Sequence, residues 1–331
     1  MSDDAPHPGP ARHAGLVFAE RDTGPLVLDL IVPPAQVPPP VVVWLHGGGW
    51  AFGDRHLAPD LRRHFAARGI AMATIEYRLS GQALFPAQLH DVRAAVRHLR
   101  RHAAQLGVDG SRIGLWGSSA GGHLAALAGV TGHLAVLPGE PVGDGDPDAA
   151  VQAVAEGYGP VDLVRVVADS GAPPAMAGPN APESRLLGGL PAELPEQARA
   201  ASPLAHVTAA APPFQIAHGT ADVLVRADQS VALHEALVAA GVESALHLLE
   251  GFRHGFLNPA GVTEIPGPRV MDDGRLDAEP DAKAEVRRFL PGREPVTEVA
   301  GFSFDVIGDF FARHLLPTPG ATPTTTTGAP R

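Results

Sequence analysis

The stretch Ile113-Gly-Leu-Trp-Gly-Ser-Ser-Ala-Gly-Gly-His123 predicts a strand, a sharp turn and a helix in direct succession. Ser119 stands at the apex of the turn, in a G-x-S-x-G frame that runs from Gly117 to Gly121. Such an elbow holds a nucleophilic serine at strained backbone angles, and its glycines let the strand and the helix approach closely. We therefore predict that Ser119 is a nucleophile and that its neighbour Ser118 points away from the site.

The composition restricts the class of protein. The chain has 331 residues, of which 45% are hydrophobic, enough for a sizeable core. Its net charge of −11 argues against a nucleic acid or an anionic membrane as partner. The absence of cysteine excludes disulfides, cysteine-ligated metals and a cysteine nucleophile. No secretory signal is visible and no apolar run reaches the length of a membrane span, so we expect a soluble, cytoplasmic protein.

Short apolar runs alternate with helical patterns along most of the chain. Strands are predicted at residues 26–32, 41–45, 70–75, 113–116, 151–155, 214–217 and 245–249. Helices are predicted at residues 57–68, 86–107, 228–240, 281–290 and 302–316, in addition to the one after Ser119. This alternation predicts an α/β fold with a mostly parallel central sheet flanked by helices.

The same pattern predicts a single domain over residues 15–316. Within it, residues 157–211 are rich in Pro, Ala and Gly and are expected to form a cap-like excursion over the sheet. Residues 258–300 are expected to form an insertion before the last helix. Residues 1–14 and 317–331 are predicted to be flexible tails, because they are rich in Pro, Gly or Thr and lack a hydrophobic pattern.

Three further motifs, which contain His46, Asp222 and His254, each follow a predicted strand. The carboxyl ends of parallel strands meet at one edge of a sheet, so we expect these motifs to lie near Ser119. A serine becomes a nucleophile when a base takes its proton and an acid orients that base. Asp222 and His254 each come directly after a strand, and the order Ser119, Asp222, His254 is the one expected of an α/β-hydrolase. We therefore predict a catalytic triad of these three residues.

The remaining site residues are predicted around this triad. The run His46-Gly-Gly-Gly49 allows backbone N–H groups to approach a substrate, so Gly48, Gly49 and the amide after the nucleophile, Ala120, are the candidate oxyanion-hole donors. The aromatic residues next to the motifs, Trp50, Tyr158 and Phe256, are candidate walls of a substrate pocket. His46 and His218 are expected to brace loops through hydrogen bonds, and His123 to be structural.

Taken together, the motifs resemble those of α/β-hydrolases of the hormone-sensitive-lipase-like or feruloyl-esterase-like carboxylesterase group. The matching segments are His46-Gly-Gly-Gly-Trp50, Glu76-Tyr-Arg-Leu79, Gly117-Ser-Ser-Ala-Gly-Gly-His123, Tyr158-Gly-Pro160, His218-Gly-Thr-Ala-Asp222 and His254-Gly-Phe256. The resemblance implies the α/β-hydrolase fold and the roles predicted above for the triad and the oxyanion donors. The chain departs from the group at Arg226, where a proline is common, and in the length of the 258–300 insertion.

These observations predict a serine carboxylesterase that acts on small or medium acyl esters without a metal or other cofactor. Two alternatives stay open: an amide-type hydrolase with the same triad, such as an arylformamidase or a peptidase, and a non-catalytic binding protein of the same fold. The expected partner is a small-molecule ester, and association into a homo-oligomer is compatible with the sequence. The alternating Asp144, Asp146 and Asp148 are expected to form a solvated loop rather than a calcium site, because an EF-hand glutamate is missing.

Overall fold

One mixed sheet forms the centre of the protein in the computed structural model, which describes residues 9–261 and 270–317. In this part of the chain the sheet has ten strands. They are β1 (Ala11–Arg21), β2 (Gly24–Val32), β3 (Pro40–Leu45), β4 (Ala71–Ile75), β5 (Asp109–Ser118), β6 (Ala153–Gly157), β7 (Phe214–Gly219), β8 (Ser244–Leu249), β9 (Ala282–Phe289) and β10 (Val296–Phe302).

The strands lie in the order β1-β2-β4-β3-β5-β6-β7-β8-β9-β10. The central strands from β4 to β8 are parallel, and two antiparallel strands extend the sheet at each edge. Parallel neighbours need long crossover connections, which helices supply on both faces of the sheet. The predicted α/β fold with a mostly parallel central sheet is therefore confirmed.

The helices are α1 (Leu61–His64), α2 (Ala87–Arg101), α3 (Ala103–Leu106), α4 (Ala120–Val130), α5 (Leu163–Asp169), α6 (Pro182–Leu187), α7 (Pro195–Ala200), α8 (Asp228–Ala239), α9 (Arg275–Ala278) and α10 (Phe304–Leu315). The predicted helix at 86–107 is interrupted at His102, so that α3 is a separate turn. The predicted helix at 57–68 is reduced to α1 and a 3-10 turn, Ala66–Arg68.

Each face of the sheet has its own hydrophobic core, as the alternation along β3 shows. Val41 and Val43 pack in the core that contains α2 and α4, whereas Val42 and Trp44 pack in the core that contains α10. Every residue of α4 is buried, so this helix needs small side chains such as Ala and Gly where it crosses the strands. Burial on both faces explains why β3 is a continuous apolar run.

The prediction of a helix at 281–290 is wrong, because these residues form strand β9. Ala282, Ala284 and Val286 are buried while Lys283 and Glu285 are exposed, which is the two-residue alternation of a strand. Alanine, lysine, glutamate and arginine favour a helix locally, but pairing with β8 on one side and β10 on the other determines the structure here.

The boundaries of the tails and the insertion also differ from the predictions. Residues 11–14, predicted to be flexible, belong to β1, where Ala11 pairs with Val32. The 258–300 insertion contributes α9, the edge strand β9 and most of the edge strand β10, which continues to Phe302. Residues 1–8, 262–269 and 318–331 lie outside the described residues, so the predictions of flexible tails at 1–8 and 318–331 stay predictions.

Candidate active site

The strand β5 ends in a tight elbow that carries Ser119. This residue has φ of 54° and ψ of −120°, a positive φ that is rare for a residue other than glycine. Its backbone N–H donates to the carbonyl of Gly157 at 2.7 Å, which ties the elbow to the end of β6. A Cβ at Gly117 would overlap the carbonyl of Gly121, and one at Gly121 would overlap the carbonyl of Leu45. The glycines of the frame are therefore required by close backbone contact.

The structure brings the three predicted triad residues into one hydrogen-bonded chain. His254 Nε2 lies 2.8 Å from Ser119 Oγ, and His254 Nδ1 lies 2.6 Å from Asp222 Oδ2. A carboxylate accepts hydrogen bonds, so Nδ1 of His254 carries the proton and Nε2 is left to accept the Ser119 hydroxyl hydrogen. Asp222 is 6% exposed and His254 is 5% exposed, so both are shielded from solvent. This is the geometry required for general-base activation of a serine.

Asp222 is held in its ionised form by its surroundings. Burial alone would raise its pKa, but the charges and hydrogen bonds of His254 and His218 outweigh burial and hold the pKa well below its usual range. Its Oδ1 accepts the backbone N–H groups of Leu224 at 2.9 Å and Val225 at 3.0 Å. These two donors determine which oxygen faces His254.

A second imidazole, that of His218, approaches Asp222 from the core. Its Nε2 lies 3.5 Å from Asp222 Oδ2 and 2.8 Å from the carbonyl of Val225, and its Nδ1 lies 2.7 Å from Ser230 Oγ. The Ser230 hydroxyl in turn lies 3.4 Å from a carboxylate oxygen of Glu156. Burial raises the pKa of Glu156 to about 7. His218 braces the acid loop, as expected, but the sequence did not indicate that Glu156 stands behind it.

The glycine run after β3 lies against the elbow. Gly48 has φ of 109°, and a Cβ there would overlap the carbonyl oxygen of Phe52, so the conformation requires glycine. The N–H groups of Gly48 and Gly49 donate to no acceptor within residues 9–261 and 270–317. Ala120 is the first residue of α4, where an N–H has no partner inside the helix. Three amide donors are thus available beside Ser119.

His46 holds this glycine run in place. Its Nδ1 donates to the Gly47 carbonyl at 2.7 Å, and its ring stacks on Tyr77, whose hydroxyl donates to the His46 carbonyl at 2.9 Å. Burial lowers the pKa of His46 to about 4, so the ring is neutral at neutral pH. The side chain therefore braces the loop and is not placed to transfer a proton at Ser119.

A cavity of about 290 Å³ opens above Ser119. Ser119, His254 and the glycine run form one part of its wall, and residues of the 157–211 excursion form the other part, from α5, α6 and the turns between them. Its lining is mainly apolar, with Trp50, Phe52, Val166, Val167, Met176 and Leu224 among the side chains. The excursion therefore lies over the triad, where a cap would lie.

The predicted pocket residues have different positions. Trp50 lines the cavity, and its Nε1 donates to His123 Nδ1 at 3.2 Å. Tyr158 and Phe256 were also expected to line it, but they lie behind His254 in the core. The Tyr158 ring packs 4.8 Å from the His254 ring and 4.6 Å from that of Phe256. We correct their predicted position accordingly: they support the histidine loop from below and do not form the cavity wall.

His123 is structural, as expected. Its Nε2 donates to the carbonyl of Ala201 at 2.7 Å, which ties the helix after the nucleophile to the excursion. Burial lowers the pKa of His123 to about 4. Because Nε2 carries the proton, Nδ1 accepts from Trp50, and this chain of hydrogen bonds orients the indole ring in the cavity wall.

The insertion holds the loop that carries His254. The N–H of Asp272 donates to the His254 carbonyl at 2.7 Å, and the Asp272 carboxylate accepts the N–H of Arg253 at 2.8 Å. Arg275 lies 2.8 Å from the same carboxylate. The sequence left the role of the insertion open, and the structure shows that it clamps the backbone on both sides of the histidine side chain.

One acidic residue of the cavity was not predicted from the sequence. Glu183, in the first turn of α6, lines the cavity and is 8% exposed. Burial raises the pKa of its carboxyl to about 7. No motif marks this glutamate, because its position depends on how the excursion folds back over Ser119.

Other charged groups do not form a metal-ion site in the part of the chain that the structure describes. No group of three His, Asp or Glu side chains suited to a metal ion occurs there. Asp146 and Asp148 pair with Arg101 and Arg100. Asp228 lies in the first turn of α8, whose N-cap residue is Ala227, and it pairs with Arg165 at 2.5 Å. None of the helices described has the length and apolarity needed to cross a bilayer.

The sequence matches two known families. Residues 28–237 match the BD-FAE family, and residues 190–286 match the dienelactone hydrolase family. The first match covers most of the sheet, the elbow and the excursion. The second covers the strands that carry Asp222 and His254.

Individual relatives agree with these matches. Esterase LipC of Mycobacterium tuberculosis is 32% identical over 222 residues, which cover 66% of this chain and 53% of LipC. A truncated carbohydrate esterase from gut microbiota superposes with a TM-score of 0.63 at 29% identity, covering 73% of this chain and 88% of that one. The propionate-bound esterase Est2 of Thermogutta terrifontis superposes with a TM-score of 0.60 at 28% identity, covering 79% and 90%. The chain spans about half the length of the curated relatives it matches.

Proposed function

The chain belongs to the BD-FAE family of α/β-hydrolases, and from this membership we propose that it is a serine carboxylesterase. The observation that carries the proposal is the hydrogen-bonded chain from Ser119 through His254 to Asp222, at the floor of a cavity. A non-catalytic binding protein would not need both this series of hydrogen bonds and backbone N–H groups without acceptors beside the serine. The names of the relatives, esterases in each case, support the same conclusion.

In the proposed mechanism, Ser119 Oγ attacks the ester carbonyl carbon while His254 Nε2 takes the hydroxyl proton. Asp222 keeps the imidazole in the required tautomer and stabilises the imidazolium that forms. Negative charge develops on the carbonyl oxygen, and the N–H groups of Gly48, Gly49 and Ala120 are the donors for it. His254 then donates its proton to the departing alcohol. Water, activated by the same imidazole, cleaves the acyl-enzyme and releases the acid.

The size of the cavity favours small or medium acyl esters. At about 290 Å³ it lies just below the range of about 300–1,000 Å³ that is usual for small-molecule sites. Its mainly apolar lining suits a short acyl chain. Est2, a structural relative, has been solved with propionate, a three-carbon acid, which is consistent with this size class.

A fluorophosphonate probe tests the proposal directly. We expect one adduct per chain, on Ser119, and none in Ser119→Ala; Ser118→Ala is the matched control and should be labelled. p-Nitrophenyl esters of increasing acyl length should show highest kcat/KM for the shorter chains. A wild-type protein that takes no label and cleaves no activated ester would contradict the proposal.

The amide-type alternative is separated by rates on matched substrates. An aryl ester, an aryl formamide and a peptide with the same leaving group distinguish an esterase from an arylformamidase or a peptidase. We expect the ester to give the highest kcat/KM. A higher value for the formamide would replace the esterase proposal with the amide-type one while leaving the triad in place.

A further inference from the structure

A buried series of polar side chains continues the triad on the far side of Asp222. Asp222 Oδ2 lies 3.5 Å from His218 Nε2, and His218 Nδ1 lies 2.7 Å from Ser230 Oγ. Ser230 Oγ lies 3.4 Å from Glu156 Oε2. His218 and Ser230 are fully buried and Glu156 is 2% exposed, yet the proposed mechanism gives these three residues no part in proton transfer.

The outer bonds of this series fix where its hydrogens can lie. The carbonyl of Val225 lies 2.8 Å from His218 Nε2, and a carbonyl accepts only, so Nε2 carries a hydrogen. The backbone N–H of Gly159 donates to Glu156 Oε1, so a protonated Glu156 carries its hydrogen on Oε2. The hydrogens that His218 and Glu156 gain or lose are therefore those on Nδ1 and Oε2. Both positions face Ser230.

Ser230 has one hydroxyl hydrogen, so two arrangements satisfy both of its hydrogen bonds. In the first, a cationic His218 donates from Nδ1 to Ser230 Oγ, and the hydroxyl donates to an ionised Glu156. In the second, a protonated Glu156 donates from Oε2 to Ser230 Oγ, and the hydroxyl donates to a neutral His218. The two arrangements hold the same number of protons. They differ in whether a positive charge lies beside Asp222.

The surroundings let His218 and Glu156 compete for this proton. Burial alone would lower the pKa of His218, but Asp222 and Glu156 outweigh burial and raise it. Burial raises the pKa of Glu156 to about 7. His234 provides an internal comparison, because its Nδ1 lies 2.9 Å from the buried hydroxyl of Ser244 and burial lowers its pKa to about 4. A buried serine is therefore not what keeps a proton near His218.

The other elements packed around these side chains add no mobile charge in the part of the chain that the structure describes. The helix α4 presents Gly122 to the carboxyl of Glu156, where a Cβ would lie 3.0 Å from Oε1. The ring of Tyr158 lies 6.4 Å from that of His218, and burial raises the pKa of its hydroxyl, so it stays neutral. The charge that reaches His218 from the acid loop is that of Asp222.

We propose that three residues behind the triad acid form a proton relay: His218, Ser230 and Glu156. The position of their shared proton adjusts how strongly Asp222 stabilises a positive charge on His254. In the resting protein the proton lies on His218 Nδ1, where Asp222 attracts it. The inference rests on the proposed esterase function and adds positioning residues to it.

The relay responds when His254 takes the hydroxyl proton of the nucleophile. Two cations would then flank Asp222, and like charges repel. The N–H bond at His218 Nδ1 breaks as Ser230 Oγ takes that hydrogen, and the original O–H bond of Ser230 breaks as Glu156 Oε2 takes the other. No proton leaves the three residues, and their net charge is unchanged. The transfer reverses when His254 gives its proton to the departing alcohol.

Two substitutions keep His218 neutral by different means. In Glu156→Gln the N–H of Gly159 requires the amide oxygen, so the amide NH₂ group donates to Ser230, whose hydroxyl then donates to His218 Nδ1. In Ser230→Ala a cationic His218 would have no acceptor for its Nδ1–H, which disfavours the cation in the core. Both variants leave the charge of Asp222 to the catalytic histidine.

The measurement is kcat/KM for p-nitrophenyl butyrate as a function of pH, expressed per active site titrated with fluorophosphonate. The acid limb is the range in which kcat/KM rises as the catalytic histidine loses its proton. We expect this limb to move to higher pH by about one unit in Glu156→Gln and in Ser230→Ala. The double variant should move by the same amount, because both changes act on one proton. Removing the charge of Glu156 without a relay would instead move the limb to lower pH.

Two controls match these substitutions. Glu235→Gln makes the same change at an exposed position of α8, and Ser244→Ala removes the buried serine that bonds His234. Both should leave the acid limb at its wild-type position. Thermal unfolding shows that each variant is folded. A merely structural role for Glu156 would change Tm or kcat and leave the acid limb where it is.

The relay is overturned if Glu156→Gln keeps the acid limb of the wild type or lowers it. It is overturned as well if Ser230→Ala leaves the limb unmoved, or if the shifts of the two variants add. In each of these cases the ester is hydrolysed and the esterase proposal stands. If the wild type hydrolyses no ester and Ser119 takes no label, the esterase proposal fails and the relay fails with it.

Discussion

Replacing Asp222 by asparagine tests the proposed mechanism through the orientation of a single amide. The two backbone N–H groups of Leu224 and Val225 point at Oδ1, so the amide oxygen of the substituted side chain is required there. The amide nitrogen must then occupy the position of Oδ2, 2.6 Å from His254 Nδ1. An NH₂ group donates, so His254 must accept at Nδ1 and carry its proton on Nε2. That tautomer cannot take the hydroxyl proton of Ser119.

The expected loss is large because the wrong tautomer removes the general base. A carboxylate-to-amide change at this position of a triad lowers kcat about 10⁴-fold, which corresponds to about 5 kcal/mol of transition-state stabilisation. Flipping the amide to restore the tautomer would leave two backbone N–H groups facing an NH₂ group, so relief by rotation is not expected. The assay is kcat on p-nitrophenyl butyrate, with thermal unfolding to show that the variant is folded.

The matched control for this change is Asp228→Asn. Asp228 is the next carboxylate along the chain, and it pairs with Arg165 on the surface rather than with the triad. We expect its kcat to stay within about twofold of the wild-type value, since surface ion pairs contribute little. A folded Asp222→Asn protein with kcat within about tenfold of wild type would refute the role proposed for Asp222.

Three further changes probe other parts of the site. Gly48→Ala should lower kcat about 10²- to 10³-fold, because its Cβ would overlap the Phe52 carbonyl and displace an oxyanion donor; an unchanged kcat would exclude Gly48 from that role. Glu156→Gln tests how the free energy of unfolding depends on the protonation of Glu156. Burial raises the pKa of Glu156 from 4.5 to about 7, so the protonated carboxyl stabilises the fold fully below pH 4.5. This contribution, up to about 3 kcal/mol, is lost as the pH rises through 7. Chemical unfolding should therefore show that Glu156→Gln gains stability relative to wild type at about pH 8 and not at about pH 4, and equal effects at both would contradict the shift. Asp272→Ala should lower kcat about tenfold and destabilise the protein by about 2 kcal/mol, because Asp272 anchors the backbone beside His254. Unchanged activity would show that the loop carrying His254 keeps its conformation without the Asp272 carboxylate.

Local sequence was sufficient to predict the elbow at Ser119 and the order of the candidate nucleophile, acid and base along the chain. The apolar run of β5, the glycines and the small residues of α4 define a strand, a turn and a helix within one short segment. Asp222 and His254 were predicted because each follows a strand, and parallel strands bring their carboxyl ends together. The structure accordingly places His254 within hydrogen-bond distance of both Ser119 and Asp222.

The incorrect predictions concern segments whose structure depends on distant neighbours. Strand β9 has residues that favour a helix, and its pairing with β8 joins positions far apart in the sequence. Tyr158 and Phe256 stand beside motif residues, but whether a side chain faces the cavity or the core depends on packing around it. Adjacency in sequence could not distinguish these positions.

The sequence by itself thus determined the parallel α/β framework and the candidate nucleophile, base and acid, because these follow from local periodicity and from the order of motifs along the chain. Only the tertiary structure decided what surrounds them: the carboxyl of Glu156 behind the acid loop, the clamp of Asp272 on the histidine loop and the turn of Glu183 into the cavity. The physical reason is that burial and pairing arise from contacts between residues distant in the chain. The same Pro-Glu pair lies in solvent at Glu196 and in the cavity at Glu183, and no property of the pair itself separates the two.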